Sequence, residues 1–350
     1  MKSNPRLCAI VLILVLWPLW TAGLAATDEE SCQTEAAAIL KAADIEGGLV
    51  VHVGCGGGEL TAALRADSRY LVQGLEASEE RIDAARRHIH SKNLYGPISV
   101  TRWDGKNLPY ASNLVNLIVC QSPVSVPMDE VMRVLCPDGV ACFKQAGRWV
   151  RKIKKRPDTI DDWTHFLHGS DNNGVARDSG VGPPRRLQWK SDPLWCRSHD
   201  GISSSVDLVL SAGGRLFSVI DEGLTGQPGL PQYWTIVARD AFNGKLLWKK
   251  LLGGRRPPQK SLVATAEKLY LAPRGRDPVH VLDTATGDVL DTLENTEGAD
   301  EIVCAGDRVV AHCAGSRGGK HNTQGSVVAL SAKDGRKLWA KESRQFVRES

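Results

Sequence analysis

The sequence predicts an α/β doubly wound domain followed by an all-β domain that forms an incomplete β-propeller. In residues 31–147, apolar strands alternate with short helical segments, which is the pattern of a parallel sheet covered on both faces. In residues 186–350, turn glycines recur at Gly244, Gly287 and Gly335, and each repeat reads as several short antiparallel strands. A chain of 350 residues is long enough for two separate cores.

Residues 1–26 are typical of a secretory signal peptide. Two basic residues precede an apolar run from Leu7 to Trp20, and small residues then lead to a cleavage site after Ala25 or Ala26. The run is shorter than the ~20 apolar residues that a spanning helix needs. We therefore expect export to the periplasm or the extracellular space, with no integral membrane segment after signal cleavage. An uncleaved anchor is the alternative.

Composition narrows the classes of function. A net charge of +4 with 24% charged residues is ordinary for a soluble protein and gives no sign of nucleic-acid binding. None of the nine cysteines forms a C-x-x-C pair, so a zinc ribbon or a thioredoxin-type site is not predicted, and no metal site is assigned. Several cysteines lie in apolar strand patterns, which favours buried thiols over disulfides.

The predicted elements of the first domain alternate between strand and helix. Ser78 is a good N-cap because two acidic residues follow it in the first helical turn. Glycine and proline punctuate the remaining elements. In chain order we expect helix 35–43, strand 48–53, helix 59–66, strand 70–76, helix 79–90, strand 98–102, strand 114–120, helix 128–135 and strand 140–144.

The first predicted strand runs directly into glycines at Gly54, Gly56 and Gly58. Glycine permits positive φ values and lets a ligand approach the backbone closely. The pattern departs from the G-x-G-x-x-G of dinucleotide dehydrogenases, because Glu59 occupies the third glycine position. Glu76 ends the next strand 22 residues after Gly54, where an acid is placed to accept hydrogen bonds from ribose hydroxyls. A βα turn without a ligand is the alternative.

These motifs resemble those of class I S-adenosylmethionine (SAM) methyltransferases. The glycine triplet matches the first motif, Asp104 matches the acid that contacts adenine, and residues 114–120 and 130–139 match two later landmarks. The resemblance implies SAM as the cofactor. It places Gly54, Gly56 and Gly58 under the methionine moiety, Glu76 on the ribose and Asp104 near the adenine.

Three features depart from this family. His52 stands where the family has an acid at the end of the first strand, and Asn116 replaces the aspartate of the fourth strand. The strand pattern stops after Lys144, so the last two strands of the family are not evident. We predict that the domain keeps the fold with weakened or lost catalysis, and we assign no catalytic residue. An active methyltransferase that acts through positioning is the alternative.

Residues 148–185 are predicted to be a basic, Pro- and Asn-rich linker. Six basic residues lie within Arg148–Pro157, a composition typical of a solvated boundary between domains. Further on, His165 and His168 stand three apart near two aspartates, so metal coordination is conceivable. A polar loop that packs Trp163 against the next domain is the favoured interpretation.

The repeats of the second domain resemble those of pyrroloquinoline-quinone (PQQ) dehydrogenase propellers and their cofactor-free relatives. Each repeat has an acid or a serine followed by a glycine turn, and two of the repeats end on a tryptophan, Trp248 and Trp339. The resemblance implies that these two rings pack between blades. Residues 187–189 would open the first blade. The sequence has no adjacent cysteine pair and no recognisable calcium ligand set, so neither PQQ nor calcium is predicted.

The second domain has room for about three to four blades at ~40–50 residues each. Relatives of this repeat type close with seven or eight, so we expect a fragment of a longer protein; the alternative is that the missing blades come from elsewhere. The resulting hypothesis is an exported two-module protein whose propeller recognises a protein or a glycan. The alternative is an active SAM-dependent methyltransferase in which the propeller targets the enzyme or recognises its substrate. A PQQ-type oxidoreductase is the weakest hypothesis.

Overall fold

A computed structural model describes residues 29–121, 126–180, 182–183, 187–192, 205–223, 230–273, 275–314 and 324–344. The predicted signal peptide, residues 1–26, lies outside these ranges. The chain divides into two compact units, the first extending to Lys154 and the second starting at Lys155, apart from two short segments.

The first unit is built on a six-stranded sheet of order β3-β2-β1-β4-β5-β6. The pairs β1–β4, β2–β3 and β4–β5 are parallel, and β6 runs antiparallel to β5. The predicted doubly wound α/β fold is therefore confirmed. The elements are α1 (29–43), β1 (Gly48–Val53), α2 (Glu59–Ala63), β2 (Tyr70–Glu76), α3 (Glu79–Ser91), β3 (Ile98–Arg102), β4 (Val115–Cys120), α4 (Met128–Val134), β5 (Leu135–Gln145) and β6 (Arg148–Ile153).

The order of strands reverses between β1 and β4. The chain adds β2 and β3 on one side of β1 and then returns to place β4 on the other side. In such sheets the crevice at the carboxyl ends of the two central strands is the usual place for a ligand. This position lies directly above the glycine turn that follows β1.

The segment predicted as a basic linker begins instead with β6, which corrects the boundary at residue 148. Residues Arg148–Ile153 pair with β5 from Gln145 to Val140. Ala146 and Gly147 both have positive φ, at 47° and 76°, as a two-residue hairpin turn requires. Charged side chains suit this strand because it lies at the edge of the sheet. The sheet therefore has one more strand than the sequence pattern showed.

Both faces of the sheet carry a hydrophobic core. On one face, α1, α2 and α3 contribute buried apolar residues such as Ile39, Leu60 and Ile89. On the other face, α4 contributes Val131 and Val134. α2 ends at Ala63, three residues earlier than predicted, and the chain already becomes extended at Leu135. These changes leave the predicted order of elements intact.

The second unit contains three four-stranded antiparallel sheets, which we call blades 1, 2 and 3. They confirm the prediction of propeller-type repeats. Residues 187–189 do not open blade 1, because its first strand begins at Val206. Blade 1 comprises β7 (Val206–Ala212), β8 (Arg215–Asp221), β9 (Trp234–Asp240) and β10 (Leu246–Gly253); blade 2 comprises β11 (Leu262–Ala264), β12 (Lys268–Leu271), β13 (Val279–Asp283) and β14 (Val289–Leu293); blade 3 comprises β15 (Ala299–Ala305), β16 (Arg308–Cys313), β17 (Gln324–Ser331) and β18 (Lys337–Arg344).

Tryptophan rings cover the turn glycines of blades 1 and 2. A Cβ on Gly244 would lie 2.4 Å from the ring of Trp189, and one on Gly287 would lie 2.7 Å from the ring of Trp248. The Nε1–H of Trp248 donates to the carbonyl of Thr284 in blade 2 at 3.0 Å. Only glycine fits such a turn, because its φ is positive and the ring occupies the place of a side chain.

The blade-packing role predicted for two tryptophans is met by only one of them within the described residues. Trp248 is 8% exposed, whereas Trp339 is 42% exposed. In blade 2, Asp291 stands at the position that Trp248 holds in blade 1, four residues after the turn glycine. The turn glycine of blade 3, Gly335, accordingly faces Leu293 and Asp291 instead of an indole ring.

Five cysteines, in strands or beside them, confirm the prediction of free thiols. Cys55, Cys120, Cys142 and Cys313 are buried, Cys304 is half-buried, and all five are unbridged. Burial raises the pKa of the Cys120 thiol to about 12. In the part of the chain that the structure describes, no helix combines the length and the apolarity that crossing a membrane demands.

We predict that Trp248→Ala destabilises the second unit much more than Trp339→Ala. The first substitution removes a buried ring and its hydrogen bond, at a cost of about 3–5 kcal/mol, and the second removes a half-exposed ring, at a cost below about 1 kcal/mol. Calorimetric unfolding of the full chain measures both. Equal shifts of the transition would contradict packing of Trp248 between blades.

Candidate functional site

The turn after β1 leaves open space above two of its glycines. Gly54 and Gly56 have φ values of +72° and +55°, and a Cβ built on either residue would have no atom within 4 Å. The N–H of Gly54 donates to the carbonyl of Leu75 in β2 at 2.8 Å, which ties the turn to the neighbouring strand. The backbone therefore forms an open cradle, which side chains at positions 54 and 56 would partly fill.

Gly58, the third predicted site glycine, serves helix packing. Its φ is +91°, and a Cβ there would lie 2.9 Å from the Cβ of Ala85 in α3 and 3.0 Å from the Cα of the same residue. Any side chain at this position would push α2 away from α3. The structure thus separates the glycine triplet into two residues that leave space and one that permits close packing.

Glu76 holds the turn in place. Its side chain is buried, and Oε2 accepts a hydrogen bond from the N–H of Gly56 at 3.0 Å. Oε1 accepts from the N–H groups of Ala77 at 2.9 Å and Ser78 at 3.3 Å. A carboxylate has about four acceptor positions. With three in use, one remains for a ligand hydroxyl, so the residue fits the ribose-binding role implied by the sequence.

Asp104 lies exposed just beyond the carboxyl end of β3. Its Oδ1 accepts a hydrogen bond from the N–H of Lys106 at 3.0 Å. The preceding residue, Trp103, is buried, donating its backbone N–H to the carbonyl of Glu76 at 2.9 Å and its Nε1–H to that of Asn107 at 2.8 Å. Asp104 is therefore carried at the same edge of the sheet as Glu76, with its second oxygen available.

An ion pair on α4 braces the segment that carries Asp104. Glu130 and Arg133 are joined at 2.7 Å, and Glu130 Oε1 accepts the N–H of Leu108 at 2.8 Å. Arg133 donates to the carbonyls of Tyr110 at 2.9 Å and Leu108 at 3.3 Å. The hydrogen bond from Arg133 lowers the pKa of the Glu130 carboxyl. The i, i+3 spacing of the two residues indicates the ion pair, whereas the bracing role was missed because it depends on backbone groups distant in the chain.

His52 lies beneath the turn and is fully buried. Its Nδ1 forms a hydrogen bond with Thr61 Oγ1 at 2.8 Å, while its buried Nε2 has no hydrogen-bond partner. Burial lowers the pKa of His52 to about 4, although the negative charges of Glu35 and Glu76 oppose the shift. The imidazole is neutral at pH 7 and has no exposed surface from which to exchange a proton with a ligand.

The neighbouring thiol is not a nucleophile. Cys55 lies within the turn, and burial together with the nearby charge of Glu76 raises its pKa to about 12. The thiol is therefore protonated at neutral pH, and only the thiolate form reacts readily. Its side chain packs so closely that a Cβ on Gly74 would lie 2.8 Å from the Cys55 sulfur. Cys55 is a packing residue.

A cavity of about 780 Å³ lies between α1, α2 and α3 of the first unit. It is lined by residues from the start of α1, by Glu59 of α2 and by Lys92 near the end of α3. α1 is also fixed near the carboxyl ends of β4 and β5, because Glu35 accepts hydrogen bonds from Lys144 at 2.5 Å and Gln121 at 3.4 Å. The cavity lies beside the glycine turn rather than above it.

The two linker histidines are not brought together as metal ligands. His165 Nε2 accepts the backbone N–H of Cys304 at 3.0 Å, whereas His168 Nε2 forms a hydrogen bond with Asp161 Oδ2 at 2.6 Å. Among the described residues, no group of three or more His, Cys, Asp or Glu side chains is arranged to hold a metal. Trp163 packs against the core of the second unit, and its backbone N–H donates to Ser211 at 2.9 Å. The favoured packing interpretation is confirmed.

Comparison with known proteins gives each unit a counterpart. Residues 50–139 match the family described as "Methyltransferase domain", and residues 182–349 match the family described as "Outer membrane protein assembly factor BamB". Methyltransferase GfsG from Streptomyces halstedii is 32% identical over 96 residues, which are 26% of this chain and 34% of that protein. The chain thus combines a methyltransferase domain with a PQQ-like repeat domain, and spans about a third of this curated relative.

Solved structures similar to the first unit include a putative S-adenosyl-L-methionine-dependent methyltransferase from Methanococcus maripaludis. It is 26% identical, with a TM-score of 0.30, over 32% of this chain and 53% of that one. Geranyl diphosphate C-methyltransferase from Streptomyces coelicolor A3(2) is 17% identical, with a TM-score of 0.30, over 31% of this chain and 44% of that one.

The buried imidazole makes stability depend on pH. The folded-state pKa of His52 is about 4, below the ~6.5 of an unfolded histidine, so only the unfolded chain binds a proton between these values. Stability is full above pH ~6.5 and falls by about 3 kcal/mol as the pH approaches 4. We predict that His52→Asn reduces this loss.

The measurement is the free energy of unfolding of the first unit at pH 7 and pH 4.5, within the full chain. His88→Asn, on the surface of α3, is the matched control and should keep the wild-type difference. If H52N and wild type lost equal stability between these pH values, the imidazole would not be held neutral by burial.

Proposed function

We propose, from the premise that residues 50–139 form a methyltransferase domain, that the first unit binds SAM above the turn at Gly54 and Gly56. The observation that carries the proposal is the open cradle over these two glycines, fixed from below by Glu76. A glycine loses more conformational entropy on folding than any other residue, and its advantage at such a turn is that a ligand can approach the backbone closely. A nucleoside with an attached amino acid fits a turn flanked by acceptor carboxylates.

Each predicted site residue has a role in this proposal. The methionine moiety lies over the bare backbone of Gly54 and Gly56, and a ribose hydroxyl donates to the remaining acceptor position of Glu76. Asp104, exposed at the end of β3, accepts a hydrogen bond from the adenine amino group. Gly58 contributes only by setting the position of α2 on α3. When bound, SAM supplies an electrophilic methyl group.

We further propose that binding is retained while methyl transfer is weak or lost. His52, the residue at the position of the family's acid, is neutral and buried, and offers no base to a methyl acceptor. The open glycine turn and Glu76 are both present, and this favours an active methyltransferase as the second candidate. In that case the rate would arise from positioning of the acceptor, which can supply a large share of a barrier without acid–base groups.

The proposed role of the second unit is recognition of a protein or a glycan after export through residues 1–26. The outer strands of the blades support a binding surface, because they expose apolar side chains at Leu251, Val289, Leu290 and Leu338. Exposed apolar side chains on a regular scaffold are typical of interaction surfaces when they lie in a shared patch.

We predict that SAM binds the full chain with micromolar affinity and that two substitutions weaken it. Gly56→Ala places a methyl group in the cradle and strains a residue with positive φ, which should reduce affinity by about tenfold or more. Asp104→Asn removes one charged acceptor from an exposed position, which should reduce affinity by about tenfold. Isothermal titration calorimetry measures both constants.

Asp83→Asn, on the exposed face of α3, is the matched control and should bind as the wild type does. Circular dichroism verifies that each variant is folded. A folded wild-type chain that releases no heat with SAM at millimolar concentration would contradict the proposal. Methylation of an acceptor by the wild type, measured with labelled SAM, would favour the second candidate over weakened catalysis.

A further inference from the structure

Three polar side chains of blade 3 form a connected chain of hydrogen bonds. Asp300 Oδ1 lies 2.6 Å from His312 Nδ1, and His312 Nε2 lies 3.1 Å from Ser343 Oγ. The three residues come from β15, β16 and β18, so the fold rather than the local sequence brings them together. The order is that of a nucleophile, a base and a group that orients the base.

The two ring nitrogens of His312 have the partners that nucleophilic catalysis requires. With Nδ1–H donating to the Asp300 carboxylate, Nε2 carries the lone pair and accepts the Ser343 hydroxyl hydrogen. Asp300 thus selects the tautomer that makes Nε2 a base. Both His312 and Asp300 are partly exposed, at 20% and 37% of their side-chain surfaces, so solvent and substrate have access.

A β-bulge aims Asp300 at His312. The β15–β16 register shifts between Ala299 and Glu301, and Glu301 then pairs with His312. A bulge turns a side chain away from the regular alternation of a strand and is frequent beside active sites. The bulge thereby brings Asp300 to the imidazole without breaking the pairing of the strands on either side.

Blade 1 has the same bulge without the histidine. Its register shifts between Val206 and Leu208, and the aspartate in the bulge, Asp207, pairs with Arg256. The residue opposite Leu208 is Val219, at the position that His312 holds in blade 3. Blade 1 therefore forms with an apolar residue at this position, and the repeat does not require an imidazole there.

Gly325 keeps the path between the base and the hydroxyl open. It lies on β17, paired with Ser343 of β18, and therefore stands between the two hydrogen-bonded side chains. A Cβ at this position would lie 2.8 Å from Ser343 Oγ and 3.2 Å from His312 Nε2. In blade 1 the corresponding residue is Trp234, which has a large side chain and pairs with the last residue of β8.

We propose that Ser343, His312 and Asp300 form a second, acyl-transferring site that hydrolyses esters. Ser343 Oγ forms a bond to the ester carbonyl carbon while its proton passes to His312 Nε2. The bond to the alkoxy group then breaks, and the alcohol leaves with that proton. Water hydrolyses the acyl-serine through the same base, which releases the acid and restores the hydroxyl. Asp300 is a positioning residue.

The experiment uses the full chain with a fluorophosphonate probe and p-nitrophenyl acetate. The probe should attach to Ser343, identified by peptide mass spectrometry, and the ester should be hydrolysed above the buffer rate. Ser343→Ala should abolish labelling at this site, and His312→Ala should lower the rate of labelling by about 100-fold or more. Asp300→Asn should lower it by about tenfold or more, since it destabilises the reactive tautomer.

Gly325→Ala tests the geometry with all three side chains present and should suppress labelling by separating Ser343 from His312. Ser218→Ala, on β8 of blade 1, is the matched serine control and should label as the wild type does. Unchanged unfolding midpoints show that loss of labelling is not loss of fold. Absence of probe on Ser343 in the folded wild type, or labelling of H312A at the wild-type rate, would overturn the proposal.

Discussion

The glycine turn at the carboxyl end of β1 depends on the hydrogen bonds accepted by one buried carboxylate. Glu76 joins the glycine turn after β1 to the beginning of α3, because its two oxygens accept N–H groups from Gly56, Ala77 and Ser78. Without this bridge, a turn with three glycines at positive φ would populate many conformations. The carboxylate therefore fixes the backbone of the turn through three hydrogen bonds.

Much of the first unit could be predicted because its central strands, β1 and β4, are buried along almost their whole length. The bounds of β1 follow from its apolar run, and the glycine turn follows from its spacing. β6 was missed because an edge strand is solvated and its charges look like those of a linker. The brace formed by Glu130 and Arg133 was missed in its role, because its partners are backbone groups 22 to 25 residues away in the chain.

The second unit shows a different limit of sequence reasoning. Repeats revealed the blades, since each turn needs glycine and an acid or hydroxyl that accepts backbone N–H groups, as Asp240 and Asp283 do. The cluster of Ser343, His312 and Asp300 has no local signature, because its members lie on three strands and one of them sits in a bulge. Sequence spacing cannot reveal a contact that depends on register.

The contacts between blades also determine how the array responds to stress. Because Trp189 and Trp248 each cover a turn glycine of the blade that follows, the stability of the array is approximately a sum of blade and nearest-neighbour terms. Between blades 2 and 3, Asp291 replaces the indole ring, and a shared apolar core joins the two blades instead. Under load or heat, that junction is therefore held without a ring over its turn glycine, whereas blades 1 and 2 separate only by withdrawing the indole of Trp248 as well.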